Sequence, residues 1–126
     1  MKTTETFQIH EEHKEWLNNL FFYKDELSIM QRRIAEIAKK YSTKDVLANV
    51  EHFQNQLKIQ KEQIDILSHE IKIHEESLEK EINKDETKVE SVKCLSHTDE
   101  TEQLHTFEKI FKELRKELNL FLAKWM

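Results

Sequence analysis

The chain has 126 residues, 25 acidic and 20 basic side chains, a formal net charge of −5, one cysteine, and neither glycine nor proline. Tight hairpins, phosphate-cradling loops and nucleophile turns need backbone angles that glycine supplies, so an all-α domain over residues 1–126 is expected, and phosphate-loop, dinucleotide and nucleophile-elbow enzymes are excluded. Charged residues are 36% of the chain but interspersed, with Arg32-Arg33 and Lys39-Lys40 set among Glu36 and Asp45, so no nucleic-acid partner is expected.

The N-terminal Met1 to Thr6 lacks the apolar core of a signal peptide, and no run approaches the roughly 18 apolar residues of a membrane span. A cytoplasmic location without a membrane partner is the expectation. The first helix is expected over about residues 4–40, capped by Thr3 or Thr4. Its apolar stripe, Ile9, Trp16, Leu20, Tyr23, Leu27, Met30, Ile34, Ile37 and Tyr41, follows the four-three rhythm of one helical face, and His13 is its single interruption. At about 1.5 Å per residue such a helix is roughly 50 Å long, and its seam has to pack lengthwise against helices of similar length. Lys39 and Lys40 suit the negative end of its dipole, and Ser42 with Asp45 reads as a capping box that opens the next helix after a short turn.

The second helix is expected over about residues 43–83. Val46, Val50, Phe53, Leu57, Ile64, Leu67, Ile71 and Leu78 form its seam, with Gln60 and His74 as the polar exceptions. A second apolar line, Ile59, Ile66 and Ile73, recurs every seven residues off that seam, and Phe22 with Ile29 holds the equivalent place on the first helix. Aligning Tyr41 with Val46 sets these lines at matching heights. They read either as a widening of the core or as a surface for a partner protein or a second copy of the chain, a homodimer.

Residues 84–96 lose the rhythm and are rich in Asp, Glu, Thr, Ser and Lys, which predicts a loop or frayed helix; a short fourth helix there is the alternative. Cys94 falls in this stretch and reads as a small, half-buried residue near a connection. The third helix is expected over about residues 97–125, opened by a capping box at Ser96 to Asp99 and lined by Leu104, Phe107, Phe111, Leu114, Leu118, Phe121 and Trp125. An elongated, antiparallel up-down-up bundle of three long helices follows.

Candidate chemistry is confined to histidines and carboxylates. Glu102 and His105 are spaced as a metal-binding pair but lie off the seam, and His52 and His69 read as surface residues. His10 and His13 flank Glu11-Glu12, a spacing able to hold a metal on a surface turn, although solvated side chains are the simpler reading. Counting heptads gives a sharper constellation. Tyr41 to His13, Val46 to His74 and Trp125 to His97 are each 28 residues, so helices levelled at Tyr41, Val46 and Trp125 bring the three histidines into one layer, with Glu100 one layer inward beside Trp16 and Ile71. Imidazoles plus a carboxylate suit zinc or another transition metal. The sequence thus predicts a small structural or protein-interaction module, with a metal-binding bundle of His13, His74, His97 and Glu100 as the alternative, and no motif that points to catalysis.

Overall fold

The computed structural model describes the backbone of residues 2–82 and 86–126, and the side chains of residues 7–79 and 97–126. It holds three helices and, among the described residues, no strand: α1 (Lys2–Lys40), α2 (Lys44–Ile82) and α3 (Glu86–Trp125). All three pack against one another, α1 with α2 most extensively. No helix is long and apolar enough to cross a membrane, judged on the described residues.

The α1–α2 corner is tight. The Tyr41 N–H still donates to the Ile37 carbonyl, and the Leu47 N–H donates to the Thr43 carbonyl, each at 3.1 Å. A residue whose carbonyl accepts the first helical bond is the one that flanks the helix, so Thr43 takes the place that the capping-box reading gave to Ser42. The start of α3 is a larger correction. It begins at Glu86, not near residue 97, and the Ser96 to Asp99 stretch lies inside the helix, where Thr101 Oγ1 donates to the His97 carbonyl at 2.8 Å. Losing the apolar rhythm removes a packing face but not helix propensity, and a Glu- and Lys-rich stretch free of glycine and proline has no reason to stop. α1 likewise begins ahead of its expected cap, at Lys2, so Thr3 and Thr4 lie within the helix; their side chains, and that of Cys94, lie outside the described residues.

The main core runs from Leu20 and Ile71 to Val46 and Phe121, with Leu27, Ile34, Ile37, Leu57, Ile64, Phe111 and Leu118 almost wholly shielded. Tyr41 and Trp125 meet edge to face at 5.2 Å at its far end. Polar pairs fix the flanks: Lys24 with Asp65 between α1 and α2 (2.8 Å), and between α1 and α3 both Tyr23 with Glu108 (2.6 Å) and a two-pronged Arg115–Glu26 contact at 2.5 and 2.9 Å. Burial and the Glu108 carboxylate push the Tyr23 hydroxyl up to about 12, so it stays a donor throughout the working pH range.

Gln60 breaks the core. It is buried on the seam, and its Oε1 has no hydrogen-bond partner among the described residues. Leaving a buried acceptor unsatisfied costs about 1–3 kcal/mol, so Gln60→Leu is expected to raise the melting temperature; an unchanged or lower value shows that the amide is satisfied in solution.

The second apolar line is exposed rather than absorbed into the core: Phe22, Ile29, Ile59, Ile66 and Ile73 all keep large accessible areas. Nor do its two halves run side by side. Ile59 and Ile66 line an open groove between α2 and α3 together with Ile110, whereas Phe22 and Ile29 lie next to the α1 positions, Tyr23 and Glu26, that reach α3 on its other flank. Equal heights on antiparallel helices do not imply equal sides, because reversing a helix reverses the order of its faces around the axis.

Candidate metal centre

The centre is a polar layer between two apolar ones. Beyond Leu20 and Ile71 the seam passes through His13, His74 and Glu100, then closes again with Ile9 and Leu78, which form a separate small apolar cluster. The layer is therefore interior and not the wet end of the bundle. His13 is 1% exposed, His74 7% and Glu100 9%. Burying groups of this kind without partners is costly, and here each has one.

Glu100 is the hub. His13 Nε2 donates to its Oε2 at 2.8 Å and His74 Nδ1 donates to its Oε1 at 2.7 Å. Its carboxylate reaches the histidine layer because α3 runs away from that end, and helical side chains lean toward the helix N-terminus. Sequence spacing had set Glu100 one layer inward beside Trp16; instead His97 stacks on Trp16, with centroids 4.9 Å apart and planes 11° from parallel. His97 still borders the group, its ring centroid 5.5 Å from that of His13 and its Nδ1 3.9 Å from Glu100 Oε2.

Three further side chains join that sequence counting did not assign to this layer. His13 Nδ1 donates to Glu75 Oε1 at 3.1 Å, His10 Nδ1 pairs with the other Glu75 oxygen, and His97 Nε2 pairs with Glu12. Each is offset from the seam by a residue or two, on the flank that faces a neighbouring helix. A carboxylate adjacent in sequence to a seam histidine, as in Glu12-His13 and His74-Glu75, was the available signal.

Electrostatics follow from this geometry. Burial alone would lower the pKa of His13, but the carboxylates of Glu100 and Glu75 on its two nitrogens outweigh it and hold the imidazole above its ordinary 6.5. Burial alone would raise Glu100; its hydrogen bonds from His13 and His74 outweigh that and hold it below its ordinary 4.5. The resting arrangement is a buried imidazole clasped between two carboxylates that favour its protonated form.

One ligand-capable atom from each of His13, His74 and Glu100 lies within 4.8 Å of the others, close enough for a single ion to be shared. This was the one such group of His, Cys, Asp and Glu among the described residues. His52, His69 and His105 take no part in it, and Glu102 lines the α2–α3 groove. Comparison of the chain with protein-family models, with curated proteins and with solved structures finds no match.

Proposed function

We propose that the protein is a transition-metal-binding helical bundle, in which one ion, zinc by ligand chemistry, joins α1, α2 and α3 through His13, His74 and Glu100. The supporting observation is the convergence of two imidazoles and one carboxylate, one from each helix, inside the apolar interior with their ligand atoms within 4.8 Å. Imidazole nitrogen with a single carboxylate suits zinc, copper, nickel or iron, and is a poor match for calcium or magnesium, which take all-oxygen sets. Binding replaces the protons now shared between His13, His74 and Glu100, so the ion does the work of those hydrogen bonds and ties three helices at one point.

The test is elemental analysis of untagged protein, followed by zinc titration of the wild type and of His74→Ala. At one hundred times the dissociation constant a native-state ligand stabilises by about 2.7 kcal/mol, a rise of roughly 10 °C in melting temperature for a chain of this size. His74→Ala is expected to lose that rise. No bound metal and no zinc-dependent rise in the wild type defeats the proposal.

A second reading has its own support in the exposed Ile59, Ile66 and Ile110 of the α2–α3 groove: a module that associates with another helix through this face, including that of a second copy. Light scattering of the wild type and Ile66→Glu checks it. Association lost in Ile66→Glu supports self-association, and a wild-type monomer at high micromolar concentration removes the homodimer.

A further inference from the structure

Two of the histidines around Glu100, His13 and His97, are held from behind, and by the same kind of group, a carboxylate. A neutral imidazole has one N–H donor and one bare nitrogen, and a carboxylate can only accept. Glu75 behind His13 therefore keeps the proton on Nδ1, and the nitrogen left for an ion is Nε2, the one already turned to Glu100. Glu12 behind His97 keeps the proton on Nε2, which leaves Nδ1 bare. That Nδ1 is buried, makes no hydrogen bond among the described residues, and stands 3.9 Å from Glu100 Oε2. The stacked Trp16 ring limits its rotation.

Resting on the metal reading above, we infer that His97 is a fourth ligand through Nδ1, and that Glu75 and Glu12 are positioning residues which fix the tautomers of His13 and His97. A metal-bound histidine commonly donates its other N–H to a carboxylate, which orients the ring and makes the bare nitrogen a stronger donor. Three imidazoles and one carboxylate complete a tetrahedron, the coordination of closed zinc sites; catalytic zinc keeps a position open for water or substrate. The ion is then a clamp on the bundle and not a reaction centre. Glu75 serves a further purpose by taking His10 on its second oxygen, which anchors the positioning group itself. His10, Glu12 and Glu75 are partly accessible to solvent, so their replacement leaves the apolar core intact.

Cobalt(II) and zinc(II) are the probes, used on the full chain. Tetrahedral cobalt absorbs strongly in the visible, whereas six-coordinate aqueous-type cobalt is pale. The wild type loaded with cobalt is expected to show the intense tetrahedral bands, and His97→Ala to lose intensity and shift. In competition with a chromogenic chelator, Glu75→Gln is expected to weaken zinc binding roughly 10- to 100-fold, with Glu75→Asp recovering part of the loss and the exposed neighbour Glu11→Gln leaving affinity unchanged. Melting curves in chelator establish that each variant is folded, and the cobalt spectrum of the wild type needs no variant. A wild type that binds zinc but gives a pale six-coordinate cobalt spectrum, or whose affinity is the same in His97→Ala and Glu75→Gln, overturns this inference and leaves the three-ligand site standing. A wild type that binds no zinc removes that site as well.

Discussion

Replacing His13 with alanine lowers the stability of the metal-free protein by about 3–5 kcal/mol, the range seen when one partner of a buried ion pair is removed. The magnitude follows from where His13 stands. Its ring is 1% exposed, and both nitrogens serve carboxylates, Glu100 Oε2 at 2.8 Å and Glu75 Oε1 at 3.1 Å. Alanine leaves each of the two carboxylates with half its histidine donors and opens a void the size of an imidazole beside His74. His10→Ala is the proper contrast. It touches the same Glu75, but its side chain is 44% exposed, and pairs of that kind contribute roughly 0–1 kcal/mol. Urea denaturation of both variants in the presence of chelator decides the matter. Equal losses mean that His13 is neutral and loosely placed, and that the clasp does not hold the bundle together.

Metal-free protein is expected to be most stable in a window between about pH 4.5 and 6.5, and to lose stability on both sides. His13 has a folded pKa raised above 6.5, so its contribution is fully present below that value and disappears as the pH rises through the raised one. Glu100 has a folded pKa lowered below 4.5, so its contribution is present above that value and disappears as the pH falls through the lowered one. Melting temperatures recorded in chelator from pH 3 to pH 9 trace both limbs. His13→Gln is expected to flatten the alkaline limb, and Glu100→Gln to reduce the acid one. A wild-type melting temperature that climbs steadily from pH 5 to pH 8 contradicts the clasped imidazolium.

The helices and their alignment were legible because both obey counting. A missing residue type, glycine, decided the fold class, and the four-three rhythm placed Ile9 to Tyr41 and Leu104 to Trp125 on their seams. Heptad arithmetic levelled His13 with His74 across two helices whose short connection fixes their relative height. Counting failed where the physics is not periodic. Residues 86–96 are helical although their sequence carries no apolar rhythm, since helix propensity does not depend on one. Glu100 reached a layer that its Cα does not occupy, because side-chain length and lean add several ångströms. Glu75 and Glu12 stayed hidden because a flanking carboxylate looks the same in sequence whether it faces water or a neighbouring histidine. The sides of the bundle were misread for Phe22 and Ile29, since the sum of two residue numbers gives height and carries no angle.

The Ile9–Leu78 contact has a bearing on time as well as on stability. Because this greasy plug lies outside Glu100, a proton, a water molecule or an ion coming from solution along the bundle axis has to wait for the ends of α1 and α2 to part. Traffic to the polar layer by that route is then gated by terminal opening and not by diffusion, so the layer can lag behind a sudden change outside. Shaving the plug, as in Leu78→Ala, quickens that exchange while leaving every polar group of the layer in place.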